Sequence, residues 1–180
     1  MIKLFDEIPF IEDERIIISR LEESDSEALR NLMNDNLVYR YLPTFLLEKQ
    51  YNDPLDVIRK MYGECINNKS AIHLGIFLKE NRVFCGLAEL YGFKDDIHKI
   101  SLGYRLLSSF WGKHIASDAV RLIIDYLYTK TNIEIITAST MPDNKASEKV
   151  LRKNGFDLVV SFSDEDWEFD KPTPADKWIR

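Results

Sequence analysis

The segment from Ile100 to Phe156 constrains the fold of this chain more than any other stretch. It opens on an apolar run, Ile100-Ser101-Leu102-Gly103-Tyr104-Arg105-Leu106-Leu107, that reads as a strand. A turn follows, Ser108-Ser109-Phe110-Trp111-Gly112-Lys113-His114-Ile115-Ala116. Ala116, Ala119, Val120, Ile123, Ile124 and Leu127 then recur at about 3.6 residues per turn, which predicts an amphipathic helix from Gly112 to about Thr131. The helix leads through Asn132 into a second strand, Glu134 to Thr140. A strand, a helix and a strand in this order imply a parallel pair joined by a right-handed crossover. The first amides of such a helix have no internal partner and its dipole favours negative charge there, so the turn is expected to hold a phosphate-bearing ligand.

The remaining sequence reads as strands and short helices around this unit. Ile16-Ile17-Ile18 predicts a buried strand within Arg15 to Leu21, and Ser24-x-x-Glu27 before Ala28, Leu29, Leu32 and Met33 reads as a capping box opening a helix. Tyr39 to Tyr51 is an aromatic, loop-like stretch; Pro54 then opens a helix to about Asn67. Strands His73 to Lys79, Val83 to Gly92 and Ile97 to Leu107 are joined by short polar turns and predict an antiparallel meander. Met141-Pro142-Asp143-Asn144 leads into a short helix ending at Asn154-Gly155, followed by strand Phe156 to Phe162. Ser163 to Asp176 reads as an acidic, aromatic loop before a last short strand around Trp178. The expected fold class is α+β: a mixed, mostly antiparallel sheet with helices on both faces, in a single domain of residues 1–180.

The motifs of this chain resemble the acyl-CoA-binding core of the GNAT superfamily of N-acetyltransferases, in the branch that acetylates ribosomal-protein N-termini. That branch carries Gly-Tyr at a strand end, Trp-Gly-Lys-Gly-(aliphatic)-Ala, Asn-x-x-Ser and a terminal Gly-Phe. Here they stand as Gly103-Tyr104, Trp111-Gly112-Lys113-His114-Ile115-Ala116, Asn144-Lys145-Ala146-Ser147 and Gly155-Phe156, in that order. Glu14 to Arg20 and Ser24-Asp25-Ser26-Glu27 are similar to the family's opening strand and helix. The resemblance implies acetyl-CoA as cosubstrate without a metal, pantetheine lodged between two splayed parallel strands, and a primary amine as acceptor, either a protein N-terminus or a small amine. It implies cofactor contacts from Leu106, Trp111, Gly112, Lys113, His114, Ile115, Ala116, Asn144 and Ser147. One departure stands out: the third residue after Trp111, a glycine in the family, is His114, whose side chain either crowds the pyrophosphate or donates to it. That departure, with Ser101 where the family often has a glutamate, motivates an alternative, a catalytically weak acyl-CoA-binding or regulatory domain.

Acetyl transfer to an amine needs a held diphosphate, a polarised thioester, a route for the ammonium proton and a means of quenching the thiolate. Trp111 is read either as fixing the phosphate loop or as filling the core, and Lys113 and Arg105 as solvent-facing or assisting a phosphate. Asn144 is read as a helix cap or a pantetheine contact, and Ser147 as a helix-surface hydroxyl or a proton donor to the thiolate. The tyrosine that many members carry one turn later is Leu151 here. The glutamate found in many relatives two residues before Gly-Tyr is Ser101, which leaves Glu89, in an apolar strand, as the candidate general base. If it faces a cleft, desolvation is expected to raise its pKa; the other reading is a solvated edge residue. Tyr91, Tyr104 and His73 stand behind it, and Trp167 is read as lining an amine-binding mouth or as anchoring a solvated loop.

Composition narrows the partners. The net charge of -6 opposes nucleic-acid binding, and no run of eighteen apolar residues suggests a membrane span. Cys65 and Cys85 lack metal-like spacing and read as free thiols, in keeping with a cytoplasmic protein, monomeric or homodimeric.

Overall fold

A computed structural model describes residues 2–180. Its sheet has eight strands: β1 (Ile11–Glu12), β2 (Ile16–Ser19), β3 (Ala71–Leu78), β4 (Val83–Lys94), β5 (Lys99–Leu106), β6 (Ile135–Thr140), β7 (Asp157–Glu165) and β8 (Thr173–Ile179). They lie in the order β1-β2-β3-β4-β5-β6-β8-β7, and every neighbouring pair is antiparallel except β5 and β6. The helices are α1 (Ser26–Asn34), α2 (Pro54–Tyr62), α3 (Glu64–Asn67), α4 (Ile115–Lys130) and α5 (Lys145–Lys153). This is the mixed α+β sheet expected from the order of motifs.

Each face of the sheet is covered by apolar stripes the sequence encodes. On one side Ala119, Val120, Ile123 and Leu127 of α4 pack on Ile16, Ile18, Ile72, Leu74, Ile76 and Ile100. On the other, Leu29 and Leu32 of α1 and Val57, Ile58 and Met61 of α2 pack on Leu21, Phe77, Phe84 and Leu87. β3 is buried from both sides, so its sequence is almost continuously apolar instead of alternating.

Several boundaries differ from the sequence reading, each for a local reason. The capping box lies two residues earlier: the Asp25 carboxylate accepts from the Glu22 amide at 2.8 Å, and a short 3-10 turn, Glu23–Asp25, precedes α1. Gly63 breaks the expected Pro54-to-Asn67 helix into α2 and α3. Asp53 caps α2, accepting from the Leu55 amide at 3.0 Å, with Pro54 at the first position. The largest difference is at the chain's end, where the expected acidic loop is mostly a β-hairpin: β7 runs on to Glu165 and β8 begins at Thr173. Its sequence hides the strand because β7 is an edge, with Val159, Val160 and Phe162 exposed, so no buried face imposes an alternation.

The β5–β6 pair positions everything that follows. Its ladder has three registered pairs, Lys99↔Ile135, Ile100↔Ile136 and Ser101↔Thr137. Beyond them β5 continues against β4 while β6 turns to β8, so the sheet parts at its one parallel step. β4 follows β5 closely through Gly86: a Cβ there would stand 2.1 Å from the Arg105 carbonyl oxygen and 2.7 Å from the Leu106 Cα. Both are backbone atoms and cannot swing aside. Gly86→Ala is therefore expected to lower stability by about 1–3 kcal/mol, seen as a reduced urea midpoint. An unchanged midpoint would mean that β5 is free to move away from β4.

Candidate active site

Two cavities open on either side of the parted strands. One, of about 460 Å³, lies between the turn after β5 and helix α5, and is lined by Leu106, Trp111, Gly112, His114, Ala116, Asn144 and Ser147, among others. The second, of about 530 Å³, lies over the β4–β5–β6 floor and is lined by Glu89, Tyr91, Ser101, Arg105, Trp167 and Lys177, among others. Tyr104, Arg105, Asn144 and Ser147 border both, so the cavities meet at the parting.

The first cavity ends at a loop of free amides. Gly112 and His114 both adopt the left-handed conformation, at φ +73° and +63°, which turns the chain sharply into α4. Among the described residues the amides of Gly112 through Ser117 find no hydrogen-bond partner within the chain. Consecutive unpaired amides at the start of a 16-residue helix form an anion-binding concavity. A Cβ at Gly112 would meet no atom within 4 Å, so the cradle is open to a ligand. His114 is the helix N-cap, and its left-handed backbone explains why glycine suits this position, a conformation histidine tolerates better than most residues.

The loop is braced from behind. Arg15 donates to the Lys113 carbonyl at 3.1 Å and pairs with Asp118 at 2.6 Å. Trp111 does not fill the core; half exposed, it donates from Nε1 to the Leu106 carbonyl at 2.9 Å and so fixes the loop to the end of β5. The Lys113 ammonium rests over the Phe110 ring, 5.0 Å from its centroid. Lys149 and Lys153 of α5 line the same cavity. Sequence reasoning missed both, although their spacing of one helical turn places them on one face.

Tyr104 and Ser147 stand together where the cavities meet. Their hydroxyl oxygens are 2.8 Å apart, and the phenol also reaches the Ser147 carbonyl at 3.3 Å. Burial holds the Tyr104 pKa well above the ordinary phenol range despite that hydrogen bond, so the phenol keeps its proton at neutral pH. Asn144 caps α5, its side chain accepting from the Ser147 amide at 3.2 Å, and thereby positions the serine. Leu151, one turn on, is fully buried.

Beneath the second cavity lies a chain of buried charges. Arg105 is shared between Glu48, at 2.5 Å from Nε and 2.7 Å from Nη2, and Glu89, at 3.2 Å from Nη1. His73 Nε2 lies 3.5 Å from the other Glu89 oxygen. Strand register explains the grouping: His73 of β3 and Gly103 of β5 flank Glu89 of β4, and Arg105 is two residues beyond Gly103 on the same face. Glu89 thus faces a cleft, but two expectations fail here. Burial would raise its pKa, yet contact with His73 and the Arg105 charge outweigh it and draw the value down to about 2. Arg105 does not point to solvent or toward the phosphate loop; it is buried, and paired carboxylates raise its already high pKa.

Glu48, which sequence reasoning missed, sits in a 3-10 turn (Leu47–Lys49) and is fully buried. The signal available was a lone arginine in an apolar strand, which requires a buried carboxylate from some other element. Through this pair the aromatic stretch Tyr39 to Tyr51 is clamped over the sheet as a cavity wall, and Tyr39 donates to Glu48 at 3.3 Å. The β7–β8 turn closes on the same wall. The Thr44 amide and hydroxyl donate to the Trp167 carbonyl at 3.2 and 3.1 Å, and Trp167 is buried at the cavity mouth. Ser101, at the family's glutamate position, bonds to Thr137 Oγ1 at 2.9 Å across the last pair before the parting.

A sheet parted at its one parallel step, with a cradle of amides on one side and a half-enclosed cleft on the other, is the architecture of an acyl-transferring enzyme. A sequence profile for the acetyltransferase (GNAT) domain matches residues 15–157, and the chain belongs to this family of acetyl-CoA-dependent acetyltransferases. It is 23% identical over 150 residues to the uncharacterized N-acetyltransferase YoaA of Bacillus subtilis, covering 82% of each chain. It is 29% identical over 98 residues to the ribosomal protein uS5-alanine N-acetyltransferase of Escherichia coli, covering 54% of this chain and 50% of that one. Among solved structures, RimL, a ribosomal α-N-protein acetyltransferase in complex with coenzyme A, superposes with a TM-score of 0.81 at 18% identity, covering 96% and 97% of the two chains.

The depressed Glu89 pKa carries a prediction of known sign. Its folded value of about 2 lies below the ordinary 4.5, so its contribution to stability is complete above pH 4.5 and is lost as pH falls through 2. The stability difference between wild type and Glu89→Gln, measured by urea unfolding, should therefore narrow as pH is lowered from 5 toward 2. A gap that stays constant would mean that Glu89 is not ion-paired in the folded state.

Proposed function

We propose that this protein transfers the acetyl group of acetyl-CoA to a primary amine by direct attack, with the two cavities receiving the two substrates. The observation that carries the proposal is their meeting at Tyr104 and Ser147, where the sheet parts. The cavity ending in the free amides of Gly112 to Ser117 has the chemistry for a diphosphate, with Lys149 and Lys153 adding positive charge along its wall. The unpaired edges of β5 and β6 beyond Ser101 and Thr137 offer backbone groups to an amide-bearing pantetheine arm. Among the described residues neither cavity is lined by a cysteine, which favours direct attack over an acyl-cysteine intermediate.

In this reading the amine nitrogen attacks the thioester carbonyl, the carbon–sulfur bond breaks, and sulfur leaves as a thiolate. Ser147 donates a proton toward the sulfur, Tyr104, protonated and 2.8 Å behind it, hands a proton on to the serine, and the second N–H proton, shed as the amide forms, restores the phenol through water. Glu89, ionised across the working pH range, has too little proton affinity to store the ammonium proton. It draws the ammonium into the cleft, and the proton leaves through water. The free-amide loop also weakens the alternative of a poor acyl-CoA binder, since His114 adopts the backbone that glycine would.

The test is turnover of an amine panel with acetyl-CoA by wild type, Ser147→Ala and Tyr104→Phe. Wild type should acetylate at least one primary amine. Loss of a positioned acid costs on the order of a hundredfold in rate, so both variants should lose kcat strongly with little change in the KM for acetyl-CoA. Full activity in both would place the proton donor elsewhere; no turnover by wild type of any amine would overturn the proposal.

A further inference from the structure

The outer floor of the acceptor cavity carries lysines that no carboxylate fully balances. Lys99 opens β5 on the same strand face as Ser101, Gly103 and Arg105, and lines the cavity with Ser139 of β6 and Lys177 of β8. Register brings these together: Lys99 pairs with Ile135, and Ser139 with Lys177. Lys94 of β4 stands directly opposite Lys99, a like-charge pair that is unfavourable by itself. Among the described residues no carboxylate comes within 4 Å of Lys94 or Lys99, although Asp95 and Asp96 follow Lys94 in the turn. Lys177 is paired with Glu165, whose other oxygen accepts from the Trp167 indole at 2.6 Å. Asp166, on the rim, accepts from the Glu168 amide at 2.9 Å. Burial and the charge of Lys99 both depress the Lys177 pKa, the response of an ammonium crowded by another.

Ser139 adds a donor. Its oxygen accepts from Lys177 at 3.3 Å, which leaves its own proton available to the cavity. Lys99 and Ser139 therefore present an ammonium and a hydroxyl to a half-enclosed space, and among the described residues no carboxylate pairs with Lys99. Along β5, Lys99 is four residues from Gly103, the partner of Glu89, a separation of about 13 Å that the lysine side chain shortens.

We propose that Lys99 and Ser139, with Lys177 beside them, form a subsite for an anionic group of the acceptor, so that the preferred acceptor is an amine bearing a carboxylate or phosphate on the order of 10 Å from its nitrogen. The ammonium end lies at Glu89 and the anionic end at Lys99, so the cleft reads charge at both ends. This rests on the assignment of the 530 Å³ cavity to the acceptor.

Three tripeptide amides of matched length test it: Ala-Gly-Asp, Ala-Gly-phosphoserine and Ala-Gly-Lys, each with acetyl-CoA and full-length protein. At least one anionic peptide should exceed the lysine peptide by about tenfold in kcat/KM, the size expected of one charge-assisted hydrogen bond. The aspartate and phosphoserine arms separate a carboxylate preference from a phosphate preference. Lys99→Gln should bring the ratio of anionic to cationic peptide close to one, through KM. Equal use of all three by wild type, or a preference that survives Lys99→Gln, would overturn the subsite. Should no peptide be acetylated, binding of the anionic peptides to the CoA-saturated protein by calorimetry decides separately. Binding weakened in Lys99→Gln supports the subsite although the transfer reading has failed, and no difference between the proteins overturns it.

Discussion

The parting of β5 from β6 after three residue pairs is the constraint on which the site depends. A continuous parallel ladder would seal the sheet and separate the amide loop from the cleft on the other face. Each strand is drawn instead to a different antiparallel partner, β5 to β4 and β6 to β8. The start of α5 stands at the resulting gap, where the Asn144 cap fixes Ser147 and Ser147 meets Tyr104 from the opposite bank. Each backbone group left unpaired there belongs to a surface that a ligand can complete.

The buried cluster of Glu48, Arg105 and Glu89 holds the second half of the site in place. Two carboxylates share one guanidinium that is almost wholly out of water, an arrangement that adds little to stability but strongly penalises removal of one member. Its structural effect is to tie the Tyr39–Tyr51 stretch to the sheet floor, so that the cleft has a roof. Its electrostatic effect is to hold the Glu89 carboxyl well below the ordinary carboxylate range, so that it stays ionised.

How much of this was legible in the sequence differed with the kind of interaction. The amphipathic period of α4, the apolar strands and the Asn144-to-Ser147 cap all rest on neighbours within a turn or a strand, and they stood at nearly the expected boundaries. The order of motifs likewise placed the parallel crossover. The Arg105–Glu48 pair spans 57 residues, and nothing in either local stretch names the partner. The direction of the Glu89 shift was missed for the same reason: burial was foreseeable from an apolar strand, but the neighbouring charges were not. The β7–β8 hairpin escaped because an exposed edge strand carries acidic and apolar residues in no strict alternation. The left-handed backbone at His114 was implicit in the substitution of a glycine, yet it is the dihedral angle that explains it.

The central claim is that the loop from Gly112 to Ser117 offers its amides to the cosubstrate. Backbone amide hydrogen exchange, followed residue by residue by NMR with and without saturating CoA, tests it most directly. Among the described residues these amides have no partner, so they should exchange rapidly in the free protein, then slow by about tenfold or more when CoA binds. Saturation by CoA with the same six amides still exchanging freely would contradict the account, because the diphosphate would then lie elsewhere.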